Sequence, residues 1–282
     1  SAQDLHMSQS AASKLLSSLE KELGVPLFDR HARGLSATAY GEIFIHHSIA
    51  ALAEMNRARE AMNDYKRGAR TPLNIGSLLS PSSSFLPDVV LKLAQEAPEL
   101  ALNVQVDTSR ALVDGLTEGR FDFVIARVRD ATREPDLMFE PLVAEPFSVV
   151  AGPDHPLRRK RKLVLGDLLA QPWILPPKGT DLRARIDTLC VQNGFPVIRS
   201  LVETLSITII FSTLRKSHAL MLMPKEFTQP YCEAGWLSVL NIDLGVRAEN
   251  YGLITRRHAP LSKHAQKALS VVRKAAKLAY GQ

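Results

Sequence analysis

Cysteine is scarce in this chain of 282 residues: it has Cys190 and Cys232, far apart in sequence. That excludes a disulfide framework and a cysteine-rich metal site, and two isolated thiols fit a reducing compartment. No apolar run approaches the ~18 residues of a membrane-spanning helix. The opening Ser1-Ala2-Gln3-Asp4-Leu5-His6 has neither the basic end nor the apolar centre of a signal peptide. A cytoplasmic protein with no membrane partner is expected. The signatures G-x-S-x-G, G-x-G-x-x-G, G-x-x-x-x-G-K-S/T, H-E-x-x-H and C-x-x-C are all missing, and the eight His and 29 acidic residues show no metal-ligand spacing. An enzyme is disfavoured, and neither a cofactor nor a metal is implied.

What is present is 45% hydrophobic and 23% charged, with a mean hydropathy of −0.03, the balance of a globular chain long enough for about two domains. The formal net charge is +6 and the pI near 9.4, and a basic excess is the sequence-independent part of phosphate binding. Yet residues 1–70 hold nine Lys/Arg and eight Asp/Glu, so most of the excess lies further on. A nucleic-acid reading must come from the arrangement of residues.

The arrangement begins with a helix. Ser8 is a good N-cap and Gly24 supplies the residue that closes it, while Ala12, Leu15, Leu16, Leu19 and Leu23 form an apolar stripe. The opposite stripe is Ser10, Ser13, Lys14, Ser17 and Lys21, short hydroxyls with two cations and no acid. Such a face suits the major groove, where hydroxyls allow close approach, Gln9 can pair with adenine edges and Lys14 can reach guanine or phosphate. Any amphipathic helix has a polar outside, so the context matters. Residues 25–30 and 35–38 read as two strands joined by His31-Ala32-Arg33-Gly34, with Gly at a position that needs positive φ. This is a wing, with Arg30 and Arg33 pointing cations at flanking phosphates or the minor groove.

From the N-cap candidate Thr38 no Pro interrupts the chain until Pro72. Phe44, Ser48, Ala51, Met55, Ala58, Met62 and Tyr65 alternate at spacings of four and three, the period of a coiled-coil seam, so two such helices would pair. Residues 66–72 then form a hinge with Gly68 and Pro72 as breakers. Beyond it the texture alternates strand and helix: strands at 73–76, 102–106, 121–126, 147–151, 197–203, 220–223 and 250–255, helices at 85–96, 111–118, 181–193, 207–216 and 262–279. That predicts mainly parallel sheets with right-handed crossovers, and ligands at the carboxyl ends of the strands. Trp173 and Trp236 are expected to fill core or interface. The run Arg158-Arg159-Lys160-Arg161-Lys162 is expected to be a solvated loop.

The stretch from Leu5 through Ser8-Gln9-Ser10-Ala11-Ala12-Ser13-Lys14, continuing through Leu19-Glu20-Lys21-Glu22-Leu23-Gly24-Val25-Pro26-Leu27-Phe28-Asp29-Arg30, resembles the DNA-binding end of LysR-type transcriptional regulators. Leu73-Asn74-Ile75-Gly76, Phe85-Leu86-Pro87, residues 118–123, His155-Pro156-Leu157 and Leu222-Met223-Pro224 look like that family's effector-domain landmarks. Tyr40-Gly41 stands where the family has Ala-Gly, and Ser217-His218-Ala219 replaces a Gly-rich approach to Pro224. Since residues 2–6 read as the tail of a helix, an earlier helix is expected to precede the given chain. The resemblance implies a winged helix-turn-helix (1–38), a dimerising linker helix and hinge (39–71), and a periplasmic-binding-protein-like effector domain (72–282). Within the last it implies two α/β subdomains, about 73–127 with 228–282, and about 128–227. It also implies promoter DNA and a small-molecule effector as partners, and tetramers built from dimers.

In that family the effector binds between the subdomains, and the matching positions have suitable chemistry. Ser80 opens the run Ser80-Pro81-Ser82-Ser83-Ser84, Thr108 and Ser109 follow the second strand, Arg127 follows the third, and Ser206 opens a later helix. Hydroxyls and helix N-termini suit a small carboxylate, sulfonate or similar polar metabolite, with Arg127 as a fixed charge. Each hydroxyl is equally a plain helix cap, Arg127 equally a structural ion pair, and an uncharged sugar-like effector fits too. The competing reading is a solute-binding protein of related fold, which would leave residues 1–70 without a purpose.

Overall fold

The computed structural model describes residues 9–31, 34–66, 70–128, 135–198 and 200–280, within two compact units, Ser1–Arg67 and Gly68–Gln282. The first unit contains helix α1 (Gln9–Leu23), strands β1 (Phe28–His31) and β2 (Gly34–Ala37), and helix α2 (Ala39–Lys66). The Ser8 cap lies outside the described residues. β1 and β2 pair antiparallel with His31 opposite Gly34, and Gly34 has the positive φ of 136°. Thr38 caps α2 as its sequence position predicts: Oγ1 accepts from the Gly41 N–H at 3.0 Å and donates to the Pro26 carbonyl at 2.7 Å. Gly41 is required for a different reason, because a Cβ there would sit 2.0 Å from the Leu27 carbonyl oxygen.

The apolar stripe of α1 is only partly covered. Leu27 is 1% exposed, but Leu15 is 61% and Leu23 43% exposed, because one short hairpin and the start of a helix offer too little apolar surface to bury the whole stripe. The seam of α2 is likewise open: Phe44 and Ser48 are half-buried, Ala51 and Ala58 exposed, and Met55 and Met62 are 70% and 59% exposed. The side chain of Tyr65 lies outside the described residues.

The second unit runs β3 (Thr71–Ser77), α3 (Leu79–Ser83), α4 (Leu86–Glu96), β4 (Leu100–Val106), α5 (Ser109–Thr117), β5 (Phe123–Ala126) and β6 (Leu137–Ala151). It continues α6 (Leu165–Leu169), β7 (Trp173–Leu175), α7 (Asp181–Gln192), β8 (Ser200–Glu203), α8 (Ile207–Lys216), β9 (Met221–Pro224), α9 (Lys225–Glu233), β10 (Ser238–Val239), β11 (Arg247–Arg256) and α10 (Lys263–Tyr280). The α/β expectation holds, but the sheets are mixed. β3 pairs in parallel with β4 and β5, and β7 with β8, while β11 runs antiparallel to β5 and β6, and β6 antiparallel to β9 and β10. The reason is β6, a strand of 15 residues whose first two thirds are disguised in the sequence by Glu140, Pro141, Glu145 and Pro146. Pro72, expected to break the chain in the hinge, instead takes the second place of β3, near a strand start where a missing N–H costs little.

Three apolar cores divide this unit. One gathers β3, α4, β4, α5 and β5 with Tyr251, Leu253 and α10. The other two lie on either side of β6, β9 and β7, one containing Trp173 and Leu222, the other Ile174, Met223 and Phe227. Leu237, Leu240 and Val246 belong to the latter pair. β6 serves all three cores. Phe139, Leu142 and Val143 pack on the first core and Val149 to Ala151 on the others, and β11 returns beside it with register shifts between Ala248 and Gly252.

Candidate functional site

On α1, Ser10, Lys14, Ser17 and Lys21 are exposed and Ser13 is half-buried. The nearest acid on that helix is occupied elsewhere: Glu20 Oε1 accepts from the Leu27 and Phe28 N–H groups at 2.8 and 3.1 Å, tying the helix to the wing. The polar face therefore presents hydroxyls and cations, with the charge of Glu20 engaged by donors. Gln9 lies in the first turn of α1 and Arg30 on β1, with their side chains outside the described residues, as is Arg33 altogether. Across the wing, His31 Nε2 and Ser36 Oγ are 2.8 Å apart.

In the second unit the carboxyl ends of β3, β4 and β5 point to one place, the position at which open α/β sheets hold ligands. Ser80, just beyond β3, is fully buried, and its hydroxyl faces the Glu145 carboxylate. Ser109, at the start of α5, accepts from the Arg127 N–H at 3.2 Å. Arg127 follows β5 and its guanidinium is paired with Glu145 of β6, the two side chains being 10% and 3% exposed. Burial pushes the Glu145 carboxyl above its usual range, Arg127 and the Ser80 hydroxyl pull it back, and the nearby Glu226 adds repulsion. The Arg127 guanidinium also lies 5.9 Å from the centre of the Tyr251 ring. Tyr251 Oη donates to Glu226 Oε2 at 3.0 Å, Tyr280 Oη donates to Oε1, and the two phenol oxygens are 2.5 Å apart. Burial raises both phenols well out of the physiological range, so they stay neutral donors.

The structure thus brings together Ser80, Ser109 and Arg127, and adds Glu145, Glu226, Tyr251 and Tyr280, which the sequence reading missed. The signal for Glu145 was available: an acid inside the apolar run Leu142-Val143-Ala144-Glu145-Pro146-Phe147 is costly unless paired. The other hydroxyls have local duties. Ser82 Oγ donates to the Leu79 carbonyl at 2.7 Å, Thr108 Oγ1 caps α5 by accepting from Ala111, and Ser206 Oγ caps α8 by accepting from Ile209. Arg127, for which a fixed charge and a structural ion pair were both open, is paired with Glu145, as a guanidinium buried to this degree needs a counterion.

Around the second lobe, Trp173 is 1% exposed with Nε1 donating to the Leu168 carbonyl at 2.8 Å. Trp236, expected in core or interface, is half-exposed beneath the Arg215 guanidinium. Within the basic run, Lys160 pairs with Asp167 at 2.7 Å and Arg158 donates to the Pro153 carbonyl, so part of it braces its own loop. His155 is 4% exposed; its Nδ1 accepts from the Leu157 N–H at 3.1 Å and its Nε2 donates to the His218 carbonyl at 3.1 Å. That pair of bonds requires the neutral ring, and burial lowers the imidazole below its usual value. A base held below its unfolded pKa contributes stability above pH ~6.5 that is lost as pH falls through that value. His155→Asn keeps a donor and an acceptor but cannot titrate, so its urea midpoint should decline less than the parent's between pH 7.5 and 5.5; equal declines would show that His155 is not responsible. Both thiols, buried Cys190 and half-buried Cys232, are pushed up by burial, which disfavours reactive thiolates. Among the described residues no helix is long and apolar enough to cross a membrane.

Two family profiles match this chain. One, described as "Bacterial regulatory helix-turn-helix protein, lysR family", covers residues 1–42, and the other, "LysR substrate binding domain", covers residues 66–277. Among characterised relatives, the HTH-type transcriptional regulator GbpR of Azospirillum brasilense is 32% identical over 97% of this chain and 80% of that protein. Among solved structures, the H2O2-bound C206S mutant of Corynebacterium glutamicum OxyR has a TM-score of 0.57 at 24% identity, covering 99% of this chain and 89% of that one. Full-length CbnR complexed with its target DNA has a TM-score of 0.58 at 19% identity, covering 98% of this chain and 93% of that one. The two structural likenesses speak for the fold.

Proposed function

This chain belongs to the LysR family of bacterial transcriptional regulators, with a helix-turn-helix end and an effector-binding domain, and on that premise we propose how its parts act. α1 enters the major groove of promoter DNA, with Gln9, Ser10, Ser13, Lys14 and Ser17 at base edges and backbone, while Arg30 and Arg33 on the wing hold flanking phosphates. Two copies pair along the seam of α2, and further contacts build a tetramer. A small polar metabolite binds between the lobes at Ser80, Ser109 and Arg127, with Ser82, Thr108 and Ser206 around it through their helix ends. It acts by differential affinity for two arrangements of the lobes, in a cytoplasmic setting and with no catalytic step.

The observation that carries this reading is the α1 face, which presents Ser10, Lys14, Ser17 and Lys21 outward while Glu20 is drawn to the wing. Anisotropy titrations with an operator fragment and a scrambled duplex across salt concentrations test it. Arg33→Ala should weaken both duplexes alike and reduce the salt slope by ~1, whereas Gln9→Ala should cost about 1–3 kcal/mol on the operator alone. Identical effects of the two substitutions on both duplexes would refute this division of labour.

A further inference from the structure

We propose that the loop at 158–162 is a second phosphate-binding surface, which takes the backbone of duplex DNA outside the stretch read by α1 and the wing. The location of the net charge points there. Residues 1–70 hold nine of the 35 Lys/Arg and eight of the 29 Asp/Glu, which leaves 26 against 21 beyond them. Five of those 26 are the consecutive Arg158, Arg159, Lys160, Arg161 and Lys162, and without them the two signs balance at 21 each. The part of the chain that reads bases is therefore almost neutral. Nearly all of the excess that draws a protein to phosphate regardless of sequence stands on one loop of the other unit.

That loop is held in a fixed shape. All five side chains are exposed, while Leu157 before the loop's midpoint and Leu163 after it pack on the core around Trp173. A 3-10 turn spans Pro156–Arg159, and the Arg158 guanidinium donates to the Pro153 carbonyl. Lys160 Nζ donates to Asp167 Oδ1 at 2.7 Å, and Asp167 Oδ2 accepts from the Val164 N–H at 3.0 Å. Asp167 thus meets one cation of the five; Arg159, Arg161 and Lys162 have no ion-pair partner among the described residues. Like charges repel, and a slack run would spread them apart. Anchoring both ends keeps three cations together, and such preorganisation lowers the cost of meeting an anion. The guanidinium fork suits phosphate oxygens in pairs. DNA is the polyanion that the helix-turn-helix of this family already holds, so contact by a tethered second surface is an intramolecular step at high effective concentration.

The test uses the full chain in anisotropy titrations across salt concentrations, with a short duplex confined to the operator and a long one carrying the same operator between unrelated flanks. The parent should bind the long duplex at least tenfold more tightly at low salt. Arg159→Gln, Arg161→Gln and Lys162→Gln together should remove that advantage and lower the salt slope on the long duplex by about 2–3 per protomer, with the preference for operator over scrambled sequence unchanged. The three side chains support no part of the fold, so thermal unfolding should match the parent's. Lys263→Gln, Lys274→Gln and Lys277→Gln change the net charge equally, at exposed cations of α10 without an ion-pair partner among the described residues, and should leave the advantage in place. Equal binding of both duplexes by the parent, or equal losses in the two triple variants, overturns the proposal. So does a loop variant that loses affinity for poly-L-glutamate but not for the long duplex, which would assign the loop to an acidic protein surface.

Discussion

Arg127→Ala should lower the unfolding free energy of the effector unit by about 3–5 kcal/mol at pH 8, the cost of stripping a buried charge of its partner. Both side chains of the Arg127–Glu145 pair are at least nine-tenths buried, so solvent offers the stranded carboxylate little relief. The loss should shrink as the solution is acidified. Glu145 already holds its proton more tightly folded than unfolded, because burial outweighs Arg127. An acid with a raised folded pKa contributes its full stability below the unfolded value and loses it as pH rises through the folded one. Removing Arg127 pushes the folded value higher still, so the variant's deficit grows from pH 5 to pH 8. Urea unfolding at the two pH values measures this. Adding Glu145→Leu should restore most of the loss, since an apolar pair can replace a buried ion pair at little cost. A single variant as stable as the parent at pH 8 would show that the pair is not shielded from water.

The second large effect concerns α2. Met55→Glu with Met62→Glu should convert a paired protein to single chains and reduce operator affinity by about 10²–10⁴-fold, the advantage that linking two binding modules confers. These methionines are 70% and 59% exposed within one chain, so charging them should leave the protomer's own packing intact. Light scattering separates the outcomes. A doubly substituted chain that still pairs would mean that the seam lies elsewhere on the molecule.

Much of the architecture could be read from residues alone, for identifiable reasons. α1, the wing and α2 announce themselves because capping chemistry, a positive-φ glycine and a seam of period 3.5 are local signals. β3, β4 and β5 are compact apolar runs between caps and were equally plain. β6 was half hidden, since Glu145 and Pro146 interrupt its apolar pattern for the sake of a contact with a residue 18 positions away. The same distance is why the alternatives for Arg127 stay open in the sequence: nothing near it says which acid faces it. Glu226, Tyr251 and Tyr280 meet from three elements far apart along the chain, and such a meeting is a property of the fold. Ser80, Thr108 and Ser206 look alike as capping serines and threonines, and only burial separates Ser80, which faces Glu145, from the two that serve their helices.

The unbroken passage of β6 along all three cores restricts what the sensor can do mechanically. Lobes joined by one continuous ribbon, with β11 laid back along it, cannot slide past each other without tearing a ladder of backbone bonds. They can twist, and the irregular register between Ala248 and Gly252 is where a ribbon yields to torsion most readily. Glu145 stands opposite Ala248, at the edge of that irregular stretch, so the buried ion pair and the break in the ladder share one place along the ribbon.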